Sequence, residues 1–149
     1  IIVAAARAGE LHDAVVIGDP AVIRRAAAGD GPPLALLDTP DEPVPRGALG
    51  LWAPPGLPPG LDALPWGRVD VRAGAAAARC IEAAVAAVQA GQGRAIVTAP
   101  VHKEALAAAG VPYPGHTEML QALADPANPP PVRMMLANPE LRVVLVTIH

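Results

Sequence analysis

Ala14-Val-Val-Ile-Gly-Asp-Pro-Ala-Val-Ile-Arg-Arg-Ala-Ala-Ala28 is the stretch that decides the fold class. Its first four residues are a short apolar, β-branched run bounded by Asp13 and Gly18, the pattern of a buried strand. Asp19 then offers a side-chain oxygen to a helix start, and Pro20 supplies the fixed φ of a first helical position. That pairing predicts a helix over 20–28. Upstream, residues 1–8 read as the end of a helix closed by Gly9, and downstream Leu34 to Leu37 reads as a second short strand. Strand, helix and strand in alternation predict an α/β protein, a layered sheet with flanking helices.

Further along the chain the pattern changes. Ten of the nineteen prolines fall between Gly31 and Pro65, which excludes a regular helix there. Residues 39–65 are therefore expected to form a surface loop or edge segment, interrupted by strand-like pieces around Leu49–Leu51 and Leu61–Leu64. Helical signal returns over Gly74–Ala90, where Ala77, Ile81, Ala84, Val85 and Val88 make one apolar stripe and Gly91 ends it. Arg94 to Thr98 reads as a strand stopped by Ala99-Pro100, and Glu104 to Ala109 as a short helix closed by Gly110. A helix is expected from about Thr117 to Asp125. Residues 132–136 and 142–147 read as strands of an antiparallel hairpin turning at Asn138-Pro139. No internal repeat is visible.

Composition bounds the function classes. The 149 residues suffice for one domain of ordinary size, and 52% hydrophobic against 17% charged residues predicts a folded chain. With no Phe, one Tyr and two Trp, the core must be built from Ala, Val, Leu and Ile. Small side chains bury little area per contact, so modest stability is expected unless a larger body or second subunit covers the apolar faces. A net charge of −3 without a Lys/Arg cluster argues against nucleic acid. The single Cys fits a reducing, cytoplasmic compartment. Ala73–Ala90, broken by Arg79 and Glu82, is too weakly hydrophobic to span a membrane. No signal peptide is read ahead of the first strand, and a start at Ile1 suggests an internal portion of something longer.

Three polar groups interrupt apolar sequence. The first is Thr98-Ala-Pro-Val-His102-Lys103, at a strand end entering a helix. In open α/β sheets that crevice binds ligands, and a helix start with a nearby lysine suits an anion such as phosphate. His102 and Lys103 are equally readable as a solvated helix start. The second is Gly115-His116-Thr117-Glu118, a flexible glycine ahead of three hydrogen-bonding side chains. It reads as a polar-ligand clamp, although taken alone Thr117 is sufficiently explained as an N-cap and His116 as an exposed turn residue. The third is His149, after the apolar run 143–148, where an imidazole at the end of a buried strand can bind a divalent metal. One histidine does not make a site, and no His-x-x-x-His or Cys-x-x-Cys pair accompanies it. Cys80 reads as a small buried thiol. His12, beside Asp13 in an apparent surface turn, has no assigned role. There is no Gly-x-Gly-x-x-Gly fingerprint, phosphate-binding loop or Gly-x-Ser-x-Gly elbow.

The three groups occur in an order that resembles one family. Ala95-Ile-Val-Thr-Ala-Pro-Val-His-Lys-Glu-Ala-Leu-Ala-Ala-Ala-Gly110 is followed by Val-Pro-Tyr-Pro-Gly-His-Thr-Glu118, then Val132-Arg-Met-Met-Leu136, then Leu141-Arg-Val-Val-Leu-Val-Thr-Ile-His149. Together with Gly67-Arg-Val-Asp-Val-Arg-Ala-Gly74, these segments resemble the 4-hydroxythreonine-4-phosphate dehydrogenase (PdxA) family, densely from Gly67 to His149 and more loosely before. The resemblance implies an isocitrate/isopropylmalate dehydrogenase-like α/β fold and a homodimer with active sites at the interface. It implies that His116 and Thr117 contact substrate, and that His149 is one of three histidines binding a divalent cation (Zn, Mg or Co). Lys103 becomes a candidate catalytic neighbour. The implied reaction is NAD- or NADP-dependent oxidation of the secondary alcohol of 4-phosphohydroxy-L-threonine, with loss of carbon dioxide, in pyridoxal 5′-phosphate (vitamin B6) biosynthesis.

The family's opening Gly-Asp-Pro-Ala-Gly-Ile-Gly-Pro segment has no counterpart here, nor do the two other metal histidines, most of its cofactor contacts or its further phosphate ligands. Residues 1–149 are thus expected to be a partial dehydrogenase domain, inactive and weakly metal-binding by themselves. Two rival readings remain: a sibling dehydrogenase for threonate or erythronate 4-phosphate or an aromatic cis-dihydrodiol, and a non-catalytic binding domain on the same scaffold.

Overall fold

The computed structural model describes residues 1–146. Helix α1 (Ile2–Arg7) leads into strand β1 (Val15–Ile17), helix α2 (Pro20–Ala27), strand β2 (Leu34–Leu37) and strand β3 (Leu49–Trp52). A 3-10 turn at Leu61–Ala63 precedes the long helix α3 (Val71–Gln89). Helices α4 (Lys103–Ala108) and α5 (His116–Ala124) follow, and then strands β4 (Met135–Ala137) and β5 (Arg142–Val144).

The expected strand–helix–strand opening is present. Asp19 caps α2, its Oδ1 accepting from Val22 N at 2.9 Å, with Pro20 in the first turn. β1, β3 and β2 form a parallel sheet in that order. Val16 pairs with Leu51, and Leu36 pairs with Leu51 from the other side. The core under this sheet joins Val3, Val16, Ile23, Leu49 and Leu51.

That order corrects one expectation. The proline-rich stretch carries the central strand, not merely an edge or surface loop. Proline removes a donor only where it stands, and none falls within Ala48-Leu-Gly-Leu-Trp-Ala53. A Cβ at Gly50 would lie 2.5 Å from Val44 Cγ2, so any larger residue there would force the Val44 side chain to shift. Leu61–Leu64 is the 3-10 turn rather than a strand, and Arg25 Nη1 donates to the Asp62 and Leu64 carbonyls at 2.5 and 2.6 Å. Arg79 Nε donates to Pro55 O at 2.7 Å, fastening the loop to α3.

α3 begins three residues before its expected start at Gly74, because Asp70 accepts from Arg72 N at 2.8 Å and so caps it. Its buried face is wider than the stripe read from spacing: Gly74, Ala78, Ala83 and Ala87 are buried with Ile81, Ala84 and Val85, whereas Ala77 and Val88 are half-buried. A second core cluster joins Ala78 and Ile81 of α3 to Leu106 of α4 and Met119 of α5.

Residues 94–98 do not form the expected strand. A strand exists only through hydrogen bonds to neighbours, and no described segment pairs with this one; Val97 is 95% exposed. The antiparallel hairpin does form, Leu136 pairing with Val143. Every residue of β4 and β5 is exposed, so the run before His149 is not the buried strand expected over the residues described. No helix among the described residues is long and apolar enough to cross a membrane.

Candidate functional site

Two helix starts converge on the second core cluster. Leu106 is 2% exposed and fixes α4 to α3; Met119, at 1%, fixes α5 to the same cluster. Lys103 is the first residue of α4, preceded by His102 in extended conformation. His116 is the first residue of α5, and its N-cap is Gly115. Gly115 O accepts from Met119 N at 3.2 Å, and no side chain caps the helix.

Gly115 is buried and sits where the two motifs meet. An ideal Cβ at Gly115 would lie 2.9 Å from Glu118 Oε2, 3.7 Å from Lys103 Cε and 4.0 Å from Lys103 Nζ. The Lys103 ammonium, the Glu118 carboxylate and the first turn of α5 therefore share one small region, although Lys103 and Gly115 belong to separate motifs. His116 and Thr117 are half-buried at this start, while His102 and Lys103 are exposed.

Thr117 is not the N-cap. It occupies the second helical position, because Gly115 in extended conformation already closes the helix. Its hydroxyl is thus not committed to capping, and among the described residues no hydrogen bond holds the side chains of Lys103, His116 or Thr117. The first N–H groups of α5 carry the positive end of the helix dipole, and Lys103 adds to it. Glu118, at the third helical position, opposes both. A start of mixed charge with an imidazole and a hydroxyl beside it can bind a polar substrate through acceptor and donor contacts together. The sequence shows Glu118 only as one of the clamp's three hydrogen-bonding side chains; its place at the third helical position adds negative charge beside the helix start.

His149, the predicted metal ligand, lies outside the described residues. Among those described, no group of three or more His, Cys, Asp or Glu side chains could hold a metal ion. The described residues by themselves therefore do not form the donor set that the resemblance implies.

A separate cavity of 290 Å³ opens between α2, the proline-rich loop and α3, lined by Asp19, Leu61, Leu64, Trp66, Asp70 and Cys80 among others. None of the sequence-predicted site residues lines it. Arg25 stacks on the Trp66 ring, 4.2 Å from the centroid. Burial pushes the Cys80 thiol up to about 11, the nearby Asp19 charge adds to the shift, and Arg79 partly offsets it. A thiol so protonated is a poor nucleophile, in keeping with the sequence reading. Sequence could not reveal this cavity, because its lining comes from segments with no shared spacing.

Comparison with known proteins identifies the scaffold. The family model described as "Pyridoxal phosphate biosynthetic protein PdxA" matches residues 10–149. A 4-hydroxythreonine-4-phosphate dehydrogenase from Beijerinckia indica is 45% identical over 138 residues, covering 91% of this chain and 39% of the relative. A D-threonate 4-phosphate dehydrogenase from Cupriavidus necator is 50% identical over 88 residues, covering 59% of this chain and 26% of that protein. The crystal structure of a 4-hydroxythreonine-4-phosphate dehydrogenase from Burkholderia phymatum superposes with a TM-score of 0.79 at 39% identity, covering 97% of this chain and 42% of that one. The chain thus spans about two-fifths of the length of the longer matched relatives, on part of the isocitrate/isopropylmalate dehydrogenase-like α/β fold. With both polar motifs set on that scaffold at adjoining helix starts, the chain belongs to the PdxA family.

Proposed function

We propose that this chain is a partial domain of an NAD(P)-dependent dehydrogenase and builds part of its substrate site. The proposed reaction is oxidation of 4-phosphohydroxy-L-threonine followed by decarboxylation, in pyridoxal 5′-phosphate biosynthesis. The observation that carries the reading is the approach of Lys103 Nζ to the α5 N-cap, 4.0 Å from the Cβ position of Gly115. That proximity of two motifs that are weak apart supports reading them as parts of one substrate site.

In this reading His116 and Thr117 contact the substrate by hydrogen bonds, and Lys103 supplies positive charge next to them. Glu118, whose carboxylate also lies beside the Gly115 N-cap, offsets part of that charge. His149 is the proposed ligand of a divalent cation (Zn, Mg or Co), with its partner ligands outside the described residues. The cation and nicotinamide would supply Lewis-acid and hydride-accepting chemistry when bound. A homodimer sharing its active sites and a cytoplasmic location belong to the same proposal. A second reading, D-threonate 4-phosphate as substrate, is supported by the 50% identity to the Cupriavidus necator relative over 88 residues.

The test is a chimera in which residues 10–149 replace the matching segment of the Beijerinckia indica relative. Formation of reduced nicotinamide is followed with 4-phosphohydroxy-L-threonine, threonate 4-phosphate, erythronate 4-phosphate and an aromatic cis-dihydrodiol. Turnover of the first substrate above the others is expected, and none is expected from the isolated 149-residue chain. Preference for threonate 4-phosphate would transfer the assignment to the sibling; a folded chimera inert toward all four would leave the non-catalytic binding domain.

A further inference from the structure

α3 and α4 touch through their backbones. An ideal Cβ at Gly74 would overlap the carbonyl group of Ala105 and come within 3.1 Å of Leu106 N. No side chain fits there, and the obstructing atoms are backbone, which cannot swing aside as a flexible side chain can. Ala105 lies two residues beyond Lys103 in a helix of only six residues, so displacing that carbonyl displaces the whole of α4. The Lys103 ammonium reaches the α5 N-cap from this helix, while Met119 holds α5 to the cluster shared with α3.

We propose that Gly74 is a positioning residue: by letting α4 seat on the α3 backbone, it sets the distance of Lys103 from the start of α5. The inference rests on the reading of Lys103 and His116 as parts of one substrate site, but the distance it concerns can be measured without any substrate. A methyl group at position 74 lifts α4 from α3 and carries Lys103 away from Gly115. Helix α3 itself tolerates the change, since Ala is a better helix former than Gly by about 1 kcal/mol. The sheet core, made of other residues, is not touched.

The experiment uses isotope-labelled 149-residue chain as wild type, Gly74→Ala, Leu106→Ala and Val3→Ala. Leu106→Ala frees α4 by removing its buried anchor while leaving α3 unchanged, and it decides the matter if Gly74→Ala does not fold. Val3→Ala destabilises the other core and controls for general loosening. NOEs between the Lys103 side chain and the Gly115 Hα protons are read beside β1–β3 cross-strand NOEs. The expected result is loss of the Lys103–Gly115 NOEs in Gly74→Ala and Leu106→Ala, with the cross-strand NOEs intact and with both sets kept in Val3→Ala. Lys103–Gly115 NOEs surviving in folded Gly74→Ala, or in Leu106→Ala should the first variant not fold, would overturn the proposal.

A titration with inorganic phosphate, standing for an anionic substrate group, separates the two claims. His116 ring resonances that shift in wild type and not in Gly74→Ala support the positioning role. A wild type without such a shift counts against the anionic-substrate reading of the site, while the NOEs still decide the role of Gly74.

Discussion

Cys80 shows how surroundings rather than residue type set the chemistry of a side chain. Its thiol is raised from 9.0 to about 11, chiefly by burial and next by the Asp19 charge. The folded chain therefore holds its proton where the unfolded chain has released it. The associated stability is present in full below about pH 9 and is lost as pH rises from there through about 11. Two pH units correspond to at most about 2.7 kcal/mol, which water reaching the half-buried thiol reduces to about 1–2 kcal/mol. Urea unfolding of wild type and Cys80→Ala across this range should show a steeper alkaline loss for wild type. Parallel curves would remove the thiol from the account. The sequence made Cys80 legible as a small, buried, unreactive group, because it stands beside an apolar helical stripe. The cavity it helps to line was not legible, since Trp66 and Asp19 lie far from it along the chain.

At the scale of elements, some caps and short apolar runs are legible by themselves, whereas the Asp70 cap of α3 and the Gly115 cap of α5 are not. Asp19-Pro20 fixed the start of α2, and Leu34–Leu37 forms a strand with the expected bounds. Errors arose where pairing decides. Leu49–Leu51 is legible as strand-like inside a proline-rich window expected at an edge or in a loop, yet the strand it forms has neighbours on both sides. Ala95-Ile-Val-Thr98 has good strand residues and no described partner. Period and propensity describe what a segment can become; the ladder that makes it a strand is a property of other segments. The contrast is measurable. Leu51 is 0% exposed at the centre of the sheet, and Leu51→Ala should cost about 2–5 kcal/mol by chemical denaturation. Val97→Ala, at 95% exposure, should stay within about 0.5 kcal/mol. Equal costs at the two positions would contradict the order β1-β3-β2. The site was half legible on the same grounds. Each polar motif could be read as a helix start, but the meeting of Lys103 with Gly115 depends on Gly74, Leu106 and Met119, which no local pattern connects to it.

For the molecule as a whole, the two cores have different tasks. One stabilises the parallel sheet through Val16 and Leu51; the other holds two helix starts together through Ile81, Leu106 and Met119. The apolar residues of the β4–β5 hairpin are exposed, and the chain spans about two-fifths of the length of the relative from Beijerinckia indica. In the proposed function this chain supplies one wall of an active site and not a complete one. In the chimera described above, His116→Ala should lower kcat/KM by about 100-fold or more with the fold intact, while His12→Ala should leave it unchanged. The most direct test is that pair of rate constants, measured with 4-phosphohydroxy-L-threonine at saturating NAD. A large loss at His116 alone is the predicted result; equal rates for the two variants would contradict the claim that the α5 start faces the substrate.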